Sequence, residues 1–437
     1  MLKSMLFGSV VETAKQWVAT LGGSDDDYGR SVAVAPDGSV YVCGRTNSAG
    51  AGYYDLLLAK FSSSGTVQWQ KTLGGSDYEE GNSVAVAPDG SVYVCGETDG
   101  SVLLAKFSSS GTVQWQKTLS GWSNDYGRSV AVAPDGSVYV CGGTSGTSST
   151  GAGGSDLLLA KFSSSGTVQW QKILGGSSMD AGYSVAVAPD GSVYVCGRTN
   201  SAGAGYYDLL LAKFSSSGTV QWQKLLGGSK FDYGYSVAVA PDGSVYVCGD
   251  IYAPDGGGYD LLLAKFSSSG TVQWQKTLGG SSSDHGYSVA VAPDGSVYVC
   301  GETYYSAGGG RDDLLLAKFS SSGTVQWQKT LSGSRSNVGY SVAVAPDGSV
   351  YVCGYTESAG SGGKDFLLAK ITDFLIEQDT VTFGNFTFQD ASLTAKNVSL
   401  TITSSSLSVS NPGLTLKTSS LTVGTPSLTT NLYTYKE

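Results

Sequence analysis

The stretch "SVAVAPDGSVYVCG" (residues 31–44) consists of two short runs of alternating side chains around a Pro-Asp-Gly tripeptide. Alternation indicates β-strands, and the fixed φ of proline followed by the positive φ of glycine suits a turn that joins two of them. The whole phrase occurs seven times, and each copy carries one cysteine: Cys43, Cys95, Cys141, Cys196, Cys248, Cys300 and Cys353. It therefore predicts a β-hairpin that belongs to a repeat protein.

Each repeat continues with a variable loop, a segment of the type "DLLLAKFSSSGTVQWQK", the phrase "TLGGS" and a second variable loop. We interpret each unit as four antiparallel strands: a ("SVAVA"), b ("SVYVCG"), c ("DLLLAKF") and d ("TVQWQKTL"). Seven such sheets bury both faces when they pack radially, and a ring avoids the exposed terminal edges of an open stack. The predicted fold class is all-β, a seven-bladed β-propeller.

The two ends of the repeat region complement each other. The last copy stops at Ile371 without a strand d, whereas "KQWVATL" near the N-terminus is a strand d without a unit. Trp17 aligns with the tryptophan of the other d strands. We therefore predict that residues 15–371 form one propeller, in which the N-terminal strand pairs with residues 365–371 and closes the ring. Residues 1–14 would form an N-terminal arm.

The repeat resembles the SBBP-type β-propeller repeat family. The matching features are a "GGS…D-Y-G" stretch, a "G-S-V-Y-V-x-G" strand and a final strand with "G…W". This resemblance covers residues 15–371. It implies the propeller fold and no defined activity.

Charge and hydropathy exclude two classes of partner. The net charge is −10 and there is no Lys/Arg run, so a nucleic-acid backbone would be repelled. No apolar run approaches the ~18 residues that a spanning helix needs, so we expect no membrane insertion. The N-terminal segment has no small-residue cleavage site, and we read it as uncleaved and made in the cytosol.

The sequence offers little for metal, cofactor or nucleophile chemistry, and we predict none. The seven cysteines occupy equivalent strands, beyond disulfide reach, and are expected to be reduced and buried. The only histidine, His285, is expected to be a loop side chain. Asp25, Asp26 and Asp27 could hold calcium, but they lack a spaced ligand loop, and solvated charge is the preferred interpretation.

The variable loops define the expected working face. In a meander, the a–b and c–d turns lie on one face of the disc, and the b–c and d–a loops lie on the other. Copies that differ within one chain indicate individual roles, and loops rich in Tyr, Asp, Asn and Ser suit recognition. Tyr183, Tyr235, Tyr287 and Tyr340, just before strand a, are expected to pack against neighbours. The predicted ligand-binding residues are Tyr28, Tyr53, Tyr54, Trp122, Tyr206, Tyr207, Phe231, Tyr233, Tyr304 and Tyr305.

The C-terminal region has a different composition. After a linker at 372–378, residues 379–437 are rich in Ser, Thr and Leu, and leucines recur every seven residues from Leu393 to Leu428. Thr and Ser between apolar residues, together with Pro412 and Pro426, argue against a coiled coil and favour short strands. The pattern looks like the β-structured shaft of a phage fibre, which would make the protein a homotrimer. A monomeric solenoid and a disordered tail are the alternatives.

These features together favour a non-enzymatic virion structural protein, a phage fibre or decoration protein assembled in the host cytoplasm. It would bind other virion proteins through the tail and present the propeller to a cell-surface glycan or receptor. The first alternative is a bacterial cell-surface or secreted adhesion propeller. The second is a propeller-type glycoside-processing enzyme, which is disfavoured because the near-identical repeats show no single cluster of paired carboxylates and basic residues.

Overall fold

The computed structural model describes residues 16–434, and the fold below refers to these residues. The gaps in this range are 51, 122–123, 146–153, 204, 254–256, 305–310, 361–362, 373–379, 392, 398–400, 405–407, 411–414, 419–421 and 425–427. The described residues form β-strands, turns and bends. They contain no helix long and apolar enough to cross a membrane.

Seven antiparallel sheets form the blades, and 28 strands belong to the propeller repeats. Blade 1 contains β2 (Asp27–Val34), β3 (Val40–Thr46), β4 (Asp55–Phe61) and β5 (Val67–Gly74). Blade 2 contains β6 (Glu79–Val86), β7 (Val92–Thr98), β8 (Ser101–Phe107) and β9 (Val113–Ser120). Blade 3 contains β10 (Asp125–Val132), β11 (Val138–Ser145), β12 (Ser155–Phe162) and β13 (Val168–Gly175). Blade 4 contains β14 (Asp180–Val187), β15 (Val193–Thr199), β16 (Asp208–Phe214) and β17 (Val220–Gly227).

The remaining blades follow the same order. Blade 5 contains β18 (Asp232–Val239), β19 (Val245–Tyr252), β20 (Tyr259–Phe266) and β21 (Val272–Gly279). Blade 6 contains β22 (Asp284–Val291), β23 (Val297–Tyr304), β24 (Asp312–Phe319) and β25 (Val325–Ser332). Blade 7 contains β26 (Asn337–Val344), β27 (Val350–Thr356), β28 (Asp365–Ile371) and the N-terminal strand β1 (Trp17–Gly22). β1 pairs antiparallel with β28, with Trp17 opposite Lys370, so the predicted closure is confirmed.

A circuit of hydrogen bonds links the innermost strands. In each blade the serine of "SVAV" accepts a hydrogen bond from a valine backbone N–H of the next blade. Val84 N–H donates to Ser31 Oγ at 3.2 Å, and Val32 N–H donates to Ser341 Oγ at 3.2 Å, which closes the circuit. This explains why a polar residue recurs at the start of an otherwise apolar strand.

The tryptophans join neighbouring blades at the c–d turns. Trp69 Nε1–H donates to the backbone oxygen of Ser109 at 3.1 Å, and its ring packs on Tyr41 at 5.9 Å. The turn glycine Gly111 has φ +82°, and a Cβ there would meet the Trp69 ring at 3.0 Å. The "SSSG" turn therefore requires glycine both for its conformation and for the contact with the preceding blade.

Apolar side chains fill each gap between blades. Between blades 1 and 2, for example, Tyr41, Cys43 and Leu58 pack against Val84 and Leu103. Both faces of each sheet are buried, which explains the apolar character of both alternations in strands b and c. All seven cysteines are free and buried, as the sequence predicted.

We expect no thiol to react with an aromatic disulfide reagent in the native protein, and all seven to react after denaturation without reductant. Burial raises the pKa of thiols such as Cys43 and Cys141, so the reactive thiolate is suppressed in addition to being shielded. Timed thiol titration under both conditions measures this. Two or more thiols missing from the denatured, unreduced sample would reveal disulfides and contradict the structure.

The C-terminal region adds a fifth strand to the outer edge of every blade. A hairpin of β29 (Thr380–Phe383) and β30 (Phe386–Asp390) lies on blade 6, where β30 pairs with β25. The next strands are β31 (Thr394–Asn397), β32 (Thr401–Ser404), β33 (Ser408–Ser410), β34 (Thr415–Thr418), β35 (Thr422–Gly424) and β36 (Thr429–Thr434). They pair in turn with strand d of blades 5, 4, 3, 2 and 1, and finally with β1 of blade 7. We call β29–β36 the belt.

The belt explains the seven-residue period of the C-terminal region, and it stands in place of the predicted shaft. Successive belt strands begin seven residues apart, at 394, 401, 408, 415, 422 and 429, so one period carries the chain from one blade to the next. Phe386 of the first hairpin contacts Tyr433 of the last strand at 5.6 Å, so the belt meets itself after a full circuit. The prediction of a separate phage fibre-type shaft was wrong, because the chain's own blade edges supply the partners of these strands. The period therefore gives no reason to invoke a trimer.

Candidate functional site

The loops that vary among the repeats meet on one face of the disc, as predicted, and we call it the variable-loop face. Adjacent loops are joined by backbone hydrogen bonds: Tyr53 N–H donates to Asp77 O at 3.3 Å, and Glu79 N–H to Tyr54 O at 2.8 Å. On the opposite face the "PDG" and "SSSG" turns lie side by side, since a Cβ at Gly38 would be 3.9 Å from Ser63. The described parts of neighbouring variable loops are therefore joined to each other at one end of the central channel.

Seven equivalent β-bulges line this end of the channel. Between Gly29 and Ser31 the register with β3 shifts, and the same shift recurs in strand a of every blade. A bulge leaves one residue outside the ladder and redirects its side chain. The bulge residues form a ring that we call the bulge ring: Arg30, Asn82, Arg128, Tyr183, Tyr235, Tyr287 and Tyr340. Its four tyrosines pack on each other at 5.5–5.6 Å, which confirms the packing predicted for them.

Aromatic rings continue from the bulge ring into a chain of contacts that spans five blades. Neighbouring ring centroids are 5.0–6.5 Å apart throughout. We call this chain the aromatic arc, and its members in order are Tyr206, Phe231, Tyr233, Tyr259, His285, Tyr287, Tyr340, Tyr355, Tyr28, Tyr54 and Tyr53. The two ends of the arc are its most accessible rings, since Tyr206 is 63% exposed and Tyr53 is 68% exposed.

Most of the predicted binding residues belong to the arc or touch it. Tyr53 and Tyr206 are open to solvent, and Tyr28 is buried against Tyr355. Tyr207 packs beside Phe231 at 6.0 Å, and Tyr304 contacts the His285 ring at 5.8 Å. Tyr54, Phe231 and Tyr233 are half-buried arc members. Trp122 and Tyr305 lie outside the described residues.

Charged groups fill the interface between blades 1 and 2. The buried carboxylate of Glu80 accepts from Arg30 Nε at 2.6 Å and from Tyr78 Oη at 2.7 Å, and Arg45 lies 3.5 Å away. Arg45 is itself held between the rings of Tyr28 and Tyr54, each 4.4 Å from its guanidinium carbon. Burial by itself would raise the pKa of Glu80, but the two arginines outweigh it and hold that pKa below its usual value.

A second polar cluster joins blades 5 and 6. Asp250 Oδ2 is 2.6 Å from His285 Nδ1, and Tyr287 Oη donates to Glu302 Oε1 at 2.5 Å. Burial opposes the charge of His285, yet the hydrogen bond to Asp250 raises the imidazole pKa above its ordinary value. His285 lies in β22, so its predicted place in a loop was wrong. Different blades contribute the partners in the Arg30–Glu80 and Asp250–His285 pairs, so carboxylates and basic residues that are far apart in the sequence meet at these interfaces.

The aspartates suggested as calcium ligands have different roles. Asp25 is exposed, whereas Asp27 is buried and accepts from Gly23 N–H at 2.9 Å and Ser48 Oγ at 2.8 Å. The solvated interpretation therefore fails for Asp27, which holds the d–a loop in place. The same contact recurs with Asp232, whose pKa burial raises to about 6. Within the described residues, no group of three or more His, Cys, Asp or Glu side chains is arranged to hold a metal ion.

Two clefts are lined by described residues of the variable-loop face. The first, of about 660 Å³, lies beside blade 2, whose b–c connection is a two-residue turn with φ 41° at Asp99 and 66° at Gly100. Its lining includes Tyr53, Tyr78, Glu97 and Tyr126. The second, of about 420 Å³, is lined by residues that include Arg311, Arg335, Tyr355, Glu357 and Lys364.

The binding residues predicted from the sequence do not include Arg30, Arg45, Glu80, Asp250 or Glu302. The sequence nevertheless distinguishes these five residues from the rest of their strands. They occupy the positions that differ among the repeats inside otherwise constant strands: the residues on either side of the conserved "G" before "SVAV", and the residue after "VYVCG". Applied to strands as well as to loops, the criterion of variation among copies would have found them.

Comparisons with known proteins agree with this architecture. The beta-propeller repeat SBBP matches residues 16–50, and a beta-propeller domain of unknown function (DUF5122) matches residues 35–67, 188–220, 240–272 and 292–325. This protein is a β-propeller. The matched segments together cover strands from several blades, in keeping with a ring of similar units.

Individual relatives are distant. "Regulatory protein FlaEY" of Caulobacter vibrioides (strain ATCC 19089 / CIP 103742 / CB 15) is 29% identical over 142 residues, which cover 28% of this chain and 15% of that protein. The WD40 β-propeller domain of Doa1 is 17% identical with a TM-score of 0.53, over 82% of this chain and 97% of the domain. The polysaccharide lyase Uly1 is 10% identical with a TM-score of 0.45, over 80% of this chain and 90% of the lyase. The similarity to the Doa1 domain shows the fold alone.

Proposed function

We propose that this protein is a non-enzymatic recognition protein whose variable-loop face binds surface carbohydrate. The observation that carries this proposal is the aromatic arc, which ends in the exposed rings of Tyr53 and Tyr206. Tyrosine offers a rigid apolar face and a hydroxyl at low entropic cost, which suits the alternating apolar and polar surfaces of a sugar. Asp, Asn and Ser in the surrounding loops add hydrogen-bonding groups.

A binding role is favoured over catalysis because the best-placed carboxylates are already engaged. Glu80 is held by Arg30 and Tyr78, and Glu302 accepts the Tyr287 hydroxyl. Asp250 is buried beneath His285. A general acid or nucleophile must reach the reacting atoms of its substrate, and these groups face other side chains instead.

We place the protein on a virus particle, where several propellers would act together. The seven reduced, buried thiols support assembly in a reducing cytoplasm, and multiple copies on one particle would raise avidity about 10²- to 10⁴-fold over a weak single site. The competing location is a bacterial cell surface. Mass spectrometry of purified particles and of surface-protein fractions from the same culture tests this: recovery only in the surface fraction would refute the virion assignment.

Replacing Tyr53 and Tyr206 together with alanine is expected to reduce carbohydrate binding at least tenfold and to change the melting temperature little. Both rings are largely exposed, so they contribute mostly to contacts with a ligand and little to the core. Binding is measured on an immobilised glycan panel with the wild-type protein as reference, and stability by thermal unfolding.

The matched control replaces the exposed Gln68 and Gln221, which lie near the start of the outer d strands, with alanine. This control should bind like the wild type. Equal losses in both double variants, or binding by the Tyr variant at wild-type strength, would show that the aromatic arc is not the recognition surface.

A further inference from the structure

The seven interfaces between neighbouring blades can be compared at one equivalent pair of positions. The residue after "VYVCG" in strand b faces the second residue of strand a in the next blade. Across the blade 1–2 interface these residues are Arg45 and Glu80, and across the blade 5–6 interface they are Asp250 and His285. These two interfaces pair a charged residue with a complementary partner. The equivalent pairs at the other five interfaces are Glu97 and Tyr126, Gly143 and Ala181, Arg198 and Tyr233, Glu302 and Val338, and Tyr355 and Tyr28.

The interface between blades 3 and 4 has no charged residue at this pair of positions. Gly143 stands where blade 1 has Arg45, and Ala181 stands where blade 2 has Glu80. Arg128 nevertheless occupies the bulge position of Arg30. Arg30 contacts the Glu80 carboxylate at 2.6 Å. Among the described residues, Arg128 instead contacts the side-chain amide oxygen of Asn82, at 3.5 Å, and the Tyr126 ring, at 4.8 Å.

A second arginine lies at the same end of the channel. The guanidinium carbon of Arg198 is 4.4 Å from the Tyr207 ring centroid, and its buried Nε has no hydrogen-bond partner among the described residues. The guanidinium carbon of Arg198 also lies 5.7 Å from the Tyr183 ring centroid. Burial raises the pKa of Tyr183 to about 12, and the positive charges of Arg198 and Arg128 both counteract this rise. Tyr126 is affected by the same two arginines.

The ion pairs of the described residues include neither Arg128 nor Arg198. The half-buried Glu97 is within electrostatic range of Arg128, and burial raises its pKa. Arg128 and Arg198 are both partly exposed to solvent. A guanidinium group in such a place favours a planar anion that it can bind with two parallel hydrogen bonds.

We propose that Arg128 and Arg198, with Tyr126 and Tyr183 beside them, form a binding site for the carboxylate of an acidic sugar. The ligand carboxylate takes the place that Glu80 occupies between blades 1 and 2. This inference rests on the proposed carbohydrate-binding function and names its ligand class. The chain as a whole is acidic, at −10, so binding would come from the local arginines and would be specific to this sector.

Titration of the full-length protein with sodium glucuronate, against glucose at the same ionic strength, tests the site. We expect saturable binding of glucuronate and none of glucose, followed by calorimetry or by tyrosine NMR shifts. Arg128→Gln and Arg198→Gln should each weaken glucuronate binding about tenfold or more, because each removes a charge-assisted hydrogen bond. Arg335→Gln, which removes one positive charge from the cleft between blades 6 and 7, should bind like the wild type.

The decisive variant is Ala181→Glu, which installs the missing carboxylate within the chain. We expect it to abolish glucuronate binding without lowering the melting temperature. The inference is overturned if the wild type shows no saturable glucuronate binding, if both arginine variants bind at wild-type strength, or if a folded Ala181→Glu protein still binds. A folding defect in Ala181→Glu would leave the two arginine variants as the deciding measurement.

The two proposals fail separately. Glucuronate binding without any binding to the glycan panel would refute the wider carbohydrate function and leave the anion site established. Glycan binding that depends on Tyr53 and Tyr206 but not on Arg128 or Arg198 would refute only the anion site.

Discussion

Deletion of residues 379–437 is expected to lower the melting temperature of the protein and to make the remaining propeller self-associate. The deletion removes the belt, so the outer edge of every blade becomes an open row of N–H and C=O groups that can pair with another chain. It also uncovers the blade 6 surface on which Phe383, Phe386 and Phe388 are buried. Thermal unfolding and light scattering at several protein concentrations measure both effects.

Point substitutions in the belt measure how much its side-chain packing contributes to stability without shortening the chain. Phe388→Ala is expected to cost about 3–5 kcal/mol of unfolding free energy, because it empties a buried aromatic site. Leu432→Ala, at a belt residue 42% exposed, should cost less than about 0.5 kcal/mol. A truncated protein that is monomeric and melts like the full-length chain would show that the belt contributes nothing to the propeller.

Replacing Glu80 with glutamine is expected to cost about 3–5 kcal/mol at neutral pH, because it leaves Arg30 and Arg45 without the carboxylate that balances their charge. Urea unfolding of the wild type and the variant measures the difference. Glu357→Gln is the matched control, since the Glu357–Lys364 pair is 3.8 Å long and partly exposed. That variant should differ from the wild type by less than about 1 kcal/mol.

The loss of stability caused by Glu80→Gln should become smaller as the pH falls. The folded-state pKa of Glu80 lies below its ordinary value of 4.5, so the carboxylate stabilises the fold at pH values above that value. As the pH falls through the folded-state pKa, Glu80 becomes protonated and this contribution is lost. The difference between wild type and Glu80→Gln should therefore be constant from pH 7 to about 5.5 and shrink towards pH 3. A difference that grows on acidification would contradict the ion-pair assignment.

The candidate site shows which features of a repeat protein can be predicted from its sequence. Tyr53 and Tyr206 were identified because loops that differ among copies stand out against constant strands. Variation among copies marks Arg30, Glu80 and Asp250, but it does not show which residues pair, because the partners come from neighbouring blades: Arg30 is 50 residues from Glu80, and Asp250 is 35 residues from His285. A strand or turn pattern cannot predict either pair, because the distance between the two residues depends on how neighbouring blades pack against each other.

The repeats by themselves determined the propeller. Alternating side chains, "PDG" and "SSSG" turns and the displaced N-terminal strand at Trp17 leave few other ways to bury both faces of seven similar sheets. The seven-residue period likewise determined that the C-terminal region consists of short strands. Only the tertiary structure decided what those strands pair with. Backbone hydrogen bonds carry no residue identity, so the same Thr-rich strands suit a partner from another chain or the open edge of a blade. The belt strands pair with the blade edges because these edges are already ordered within the same chain. Each seven-residue step then brings the next belt strand to the next edge.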